Sequence, residues 1–125
     1  MTNDELKAAI RAMIAAHPNL EPSADGHNKH MERYITANGT LLGLEPDLKS
    51  KVNLFVERRS VPLRDLSDIP HKEYFAANYA TSKPNHDLFG PCSFKLDMDL
   101  ISFFITDLWS AARVIRSVAG EGAGS

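Results

Sequence analysis

The chain has one cysteine, Cys92, so no internal disulfide can staple it and its stability must come from packing. It has no excess of either charge. Fourteen Lys and Arg stand against sixteen Asp and Glu, for a net charge of -2, which excludes a histone-like or ribosomal polycation. It lacks any apolar run near the ~20 residues that span a bilayer as a helix. Repeats and low-complexity tracts are absent, and composition excludes collagen, coiled-coil, mucin and disordered classes. The start, Met1-Thr2-Asn3-Asp4-Glu5, is acidic and does not read as a secretory leader. Cytoplasm is therefore the expected location, and a lone thiol agrees with a reducing compartment. There is no Walker loop, no GxGxxG, no CxxC pair and no HExxH, so no motif asks for a cofactor.

What is present is ordinary globular material. The 125 residues are 43% apolar and 24% charged, enough for one core. Leu6, Ala9, Ile10, Met13, Ile14 and His17 recur every three or four residues, predicting an N-terminal helix capped by Thr2 or Asn3 and stopped by Pro18. Residues 18–26 are rich in breakers and read as a loop. A second helix is expected from about His27 to Ala37, burying Met31, Tyr34 and Ile35, with Asn38-Gly39 as its left-handed end. Thr40–Leu44 reads as a weak strand. Val52–Arg59 reads as a better one, with Val52, Leu54 and Val56 on the core face and Asn53, Phe55, Glu57 and Arg59 on a face open to solvent or ligand. Residues 61–92 are punctuated by Pro62, Pro70, Pro84 and Pro91, with helical turns expected at Leu63–Leu66 and at His71–Asn78. Phe94–Leu100 alternates like a strand, and Ile101–Ile105 is apolar on both faces like a central one. Leu108, Ala111, Ala112, Ile115, Val118 and Ala119 form the stripe of a last helix, with Thr106 as cap and Gly120 as stop. The expected fold is one α+β domain over 1–119, with a disordered tail over 120–125. Its sheet is small and antiparallel, about 3 strands, packed against the N-terminal and C-terminal helices.

Several residues invite a chemical reading. His27 and His30 lie three apart and could share a metal on a helix face, with His86, Asp97 and Asp99 as further ligands. Asp97 and Asp99 could hold a divalent ion on one strand side. These five residues define the alternative reading, a metal-dependent hydrolase or nuclease. The plainer alternative is solvated histidines and the polar face of an edge strand. Asn85-His86-Asp87 near Cys92 resembles part of a nucleophile–base arrangement, but no family signature accompanies it.

The charge distribution carries the leading reading. From His27 to Ser60 six basic residues face four acids, for a local charge of +2. Lys29 and Arg33 would share a face of the second helix. Asn53, Phe55 and Arg59 would share a strand face, and Tyr74 and Tyr79 in the irregular segment would border it. Arginine, aromatic and amide groups on one face suit an acidic protein surface or a nucleic acid. The expected function is a small interaction domain without catalysis of its own and without a membrane partner. Compact size fits accessory proteins of bacterial operons, including immunity, antitoxin and defence components. Trp109 falls off the stripe of the last helix and is a candidate homodimer contact.

Overall fold

The computed structural model describes residues 2–27, 31–46, 52–84 and 86–120. The first helix, α1 (Asn3–Ala16), starts where the Thr2 side chain accepts a hydrogen bond from the Glu5 N–H and Glu5 returns one to the Thr2 N–H. It buries Leu6, Ile10 and Ile14. The last helix, α3 (Leu108–Ala119), is capped by Asp107, one residue later than expected. The Asp107 carboxylate accepts from the Ser110 N–H at 2.8 Å, and Gly120, at φ +81°, ends the helix in the left-handed region.

Between these helices the described residues form one six-stranded antiparallel sheet. Its strands are β1 (Leu20–Pro22), β2 (Glu32–Thr36), β3 (Leu41–Glu45), β4 (Val52–Glu57), β5 (His71–Tyr74) and β6 (Leu100–Ile105), in the spatial order β1-β2-β3-β4-β6-β5. The class is the expected α+β, but the sheet is larger than about three strands. Of the three extra strands, β2 takes the place of the expected second helix, and β1 and β5, three and four residues long, lie at the edges, where little apolar alternation is required. A short helix, α2 (Leu63–Leu66), falls where expected and carries the chain from β4 across β6 to β5 on the helical side.

The helical side holds the main core. Leu42 and Leu44 of β3, Leu54 and Val56 of β4, and Ile101, Phe103 and Ile105 of β6 pack against α1 and α3. Each fully buried aliphatic or aromatic side chain there contributes about 1.5–3 kcal/mol. The other side of the sheet is also closed. Phe55 and Leu100 pack with Met31, Leu41, Leu88 and Phe94 in a second cluster, with Phe89 and Met98 against it, so residues 86–98 lie over this face.

Three expectations are corrected here. The second helix does not form: residues 32–36 are β2, paired with β3 through Glu32↔Leu44, Arg33↔Gly43, Tyr34↔Leu42 and Ile35↔Leu41. Asn38-Gly39 closes a hairpin instead of a helix. The Gly39 N–H donates to the Thr36 carbonyl at 3.0 Å, and Gly39 takes φ +86°. His71–Tyr74 is extended, with only Ala76–Asn78 making a helical turn. Phe94–Asp99 contributes turns rather than a strand, and regular pairing begins at Leu100. Residues 121–125, the expected tail, lie outside the described residues.

Candidate interaction surface

The residues expected to form one basic-aromatic face do not all reach solvent. Phe55 is 2% exposed, because the segment 86–98 covers it. Asn53 is buried, and its Nδ2 donates to Glu45 Oε1 at 2.9 Å. Arg33 is 9% exposed and bound from within: its Nε donates to the Gly26 carbonyl at 3.0 Å and its Nη2 to the Asp25 carbonyl at 3.2 Å. The Asp25 carboxylate in turn accepts from the Cys92 N–H at 2.8 Å, and the Ser23 and Ser93 hydroxyls lie 3.1 Å apart. Arg33 thus holds the β1–β2 connection beneath the 90–93 turn. Lys29 and His30 lie outside the described residues.

Tyr79 is also a tie within the fold. Its hydroxyl donates to the Met98 carbonyl at 2.6 Å, and its ring meets Phe89 edge-on at 6.0 Å. Burial, with smaller contributions from the Asp99 charge and from Tyr74, pushes its phenol up to about 12. Tyr74 is half-buried against Phe55, with ring centroids 6.4 Å apart. Of the six described among the seven, Arg59 is the one that stands largely in solvent. Its side chain is 82% exposed, with its Nε 2.6 Å from Glu57.

The metal reading finds no gathered ligand set. His27 Nδ1 accepts from the Arg33 N–H at 3.0 Å, and its ring lies 4.9 Å from that of Tyr34. His86 is exposed, with Nε2 3.4 Å from Asp87. Asp99 accepts from the Ala76 N–H at 2.9 Å, and Asp97 is exposed on a turn. Among the described residues no three His, Cys, Asp or Glu side chains come together as a metal site.

One titratable cluster was not anticipated. Arg11 of α1 grips the Glu32 carboxylate of β2 through Nε and Nη2, at 2.9 and 2.5 Å, and the Tyr34 hydroxyl donates to the same carboxylate at 2.8 Å. Burial alone would push Glu32 up. The bonds from Arg11 and Tyr34 outweigh it and hold the carboxyl below its ordinary value. The Tyr34 phenol is pushed well above its ordinary value by burial and by its bond to Glu32. All three groups face each other, so the cluster braces helix to sheet. Sequence spacing could not show it, since Arg11 and Glu32 are far apart in the chain.

A basic-aromatic surface does exist, at the corner where β4 and β5 both end, on either side of the start of β6. Arg58 bonds Glu73 at 2.7 Å and lays its guanidinium 5.6 Å from the centroid of Phe75, a large ring left in solvent. On β5, Lys72 lies 4.8 Å over Tyr74. Arg58 and Arg59 line a hollow of about 240 Å³ with Glu57, Asp97, Met98 and Asp99. Arg64, on α2, is 93% exposed, with Asp65 3.7 Å away. The signal for this corner was the Arg58-Arg59 doublet directly after a strand.

Elsewhere, Ile35, Leu41, Pro91, Cys92 and Met98 line a more apolar hollow of about 390 Å³ beside the β2–β3 hairpin. Trp109, 69% exposed on α3, is the most exposed large apolar side chain among the described residues. No helix among the described residues is long and apolar enough to cross a membrane.

No known family matches. Neither a protein-family model, nor a curated protein, nor a solved structure pairs with this chain.

Proposed function

We propose that the chain is a protein-interaction domain without catalysis of its own, and that it meets the carboxylates of a partner protein at the Arg58–Arg59–Arg64–Phe75 corner. The observation that carries this reading is the Arg58 cation held against the exposed Phe75 ring, with Arg59 exposed next to it in the chain and Arg64 exposed on α2. Arginine and aromatic groups are the residue types that most often anchor interfaces. The carboxylates beside these arginines do not oppose it. The Arg64–Asp65 pair is exposed on both sides, and such pairs are worth about 0–1 kcal/mol, so Arg64 can exchange Asp65 for a partner's acid at little cost.

The same carboxylates favour a protein partner over a nucleic acid. Glu57, Asp65, Glu73, Asp97 and Asp99 are interleaved with the arginines. A phosphate backbone needs contiguous positive contacts and gains affinity from each. A protein surface of mixed charge suits the corner better.

The test is affinity capture from the native host, analysed for protein and nucleic acid. We expect a protein whose capture weakens with salt and is lost in Arg59→Glu/Arg64→Glu. Capture unchanged by that double reversal would remove the reading. Trp109 favours a second mode, contact with another copy of this chain through α3. Sedimentation of wild type and Trp109→Ala over a dilution series tests it, with a concentration-dependent mass expected only for the wild type.

A further inference from the structure

The open edge of the sheet beside this corner has a defined backbone polarity. The Phe104 N–H donates to the Pro70 carbonyl at 2.8 Å, which makes Pro70 and Phe104 a hydrogen-bonded pair of the β5–β6 ladder. In antiparallel ladders such pairs alternate with pairs that do not exchange bonds. With His71↔Phe103 and Lys72↔Ser102 in register, Lys72 and Tyr74 bond to β6, and His71 and Glu73 turn their N–H and C=O groups outward. The other flank of β6 agrees. The Arg58 N–H donates to the Asp99 carbonyl at 2.8 Å, so Ile101 and Phe103 direct their backbone groups to β4 and away from β5. No described residue bonds to the outward groups of His71 and Glu73.

The two edges of the sheet differ. β1 is three residues long and ends in Pro22, both features that discourage further pairing. β5 has no proline and continues extended through Phe75, at φ -101° and ψ 129°. Its charges are unequal. Glu73 is bonded by Arg58 at 2.7 Å, whereas Lys72 is exposed and makes no ion pair among the described residues. The free charge of this edge is therefore positive.

We propose that β5 receives an extended acidic segment of a partner protein as a seventh, antiparallel strand. The inference rests on the interaction-domain reading and adds the mode of binding. The outward N–H and C=O groups of His71 and Glu73 supply the main-chain bonds. The residue opposite Lys72 stands in a non-bonded pair, on the same face as the ammonium group, and is the place for a glutamate or aspartate. Its two neighbours, opposite His71 and Glu73, are the residues whose amides bond to β5.

This geometry makes a test that leaves the protein's fold untouched. The probes are fluorescent peptides of about nine residues, one strand's length, in which valine alternates with glutamate or with lysine. We expect the Val/Glu peptide to bind about tenfold or more tighter than the Val/Lys peptide, and Lys72→Glu to invert the order. N-methylation at the valines, which face the outward groups, should abolish binding. N-methylation at the glutamates should leave it. Absence of saturable Val/Glu binding, equal binding of both peptides, or loss on methylation at the glutamates instead overturns the proposal. If Val/Glu binding survives methylation at the valines yet falls in Arg59→Glu/Arg64→Glu, the strand is wrong and the arginine surface stands. The opposite pattern keeps the strand and removes the arginine surface.

Discussion

Replacing Gly43 by alanine tests whether the second face of the sheet is closed. Gly43 lies in the middle of β3, paired with Arg33 and Phe55. A Cβ built there would fall 2.6 Å from Leu88 Cδ1, 3.3 Å from Phe55 Cβ and 3.4 Å from Phe94 Cε2. Leu88 is fully buried, so its methyl has little room to retreat. Two effects compete. Alanine loses less backbone entropy than glycine in a strand, which favours the variant by about 0.5–1 kcal/mol. Overpacking a filled site costs about 1–3 kcal/mol. The second wins, so Gly43→Ala should destabilise by roughly 0.5–2 kcal/mol and lower the melting temperature by a few degrees. Guanidinium unfolding reads the free energy directly. A cycle with Leu88→Ala isolates the cause. That change alone should cost about 2–5 kcal/mol, and in its background Gly43→Ala should cease to destabilise. A wild-type chain stabilised by Gly43→Ala would mean that Leu88 does not cover β3, and the closed second face would be refuted.

Arg33→Met should destabilise by about 1–3 kcal/mol, because it strips partners from the Gly26 and Asp25 carbonyls, yet leave partner capture per folded molecule unchanged. Equal loss of stability and capture would place Arg33 at the surface after all. Glu32→Gln should cost about 1–3 kcal/mol at neutral pH, since Arg11 and Tyr34 lose their charged acceptor. Because the folded carboxyl sits below its ordinary value, its contribution is complete above the unfolded value of about 4.3 and is lost as pH falls through the folded value. The stability gap between wild type and Glu32→Gln should therefore shrink on acidification below about pH 4, and a gap constant with pH would contradict the brace.

The terminal helices were readable because each announces itself locally. Thr2 with Glu5, and the three-and-four spacing of Leu6, Ile10 and Ile14, depend on no distant residue. β4 and β6 were readable for the same reason, by alternation and by an all-apolar run. β2 misled because Met31, Tyr34 and Ile35 fit a helical stripe as well as Glu32, Tyr34 and Thr36 fit a strand face. Over so few residues the two periods are not separable. The deciding signal was Asn38-Gly39, which marks hairpins as readily as helix ends. Phe94, Leu96 and Met98 alternate like a strand, yet the Met98 N–H turns back to the Lys95 carbonyl at 3.1 Å and the Lys95 ammonium caps the carbonyls of Gly90 and Pro91.

The interaction surface was legible only in part, for a nonlocal reason. Whether the polar-looking face of β4 meets solvent depends on where residues 86–98 lie. They lie on it, burying Phe55. Arg33 and Arg59 look alike in sequence. One is enclosed by carbonyls of the β1–β2 connection, and the other follows β4 into solvent. The open edge at β5 could not be foreseen, because His-Lys-Glu-Tyr carries no apolar alternation, and its outward groups follow from the register with β6 alone.

Amide hydrogen exchange along residues 71–74, with and without the Val/Glu peptide, addresses that edge most directly. In the free protein Lys72 and Tyr74 should exchange slowly and His71 and Glu73 fast. Saturating peptide should slow His71 and Glu73 and leave the other two as they were. Exchange at His71 and Glu73 that stays fast under saturating peptide would contradict strand addition at β5.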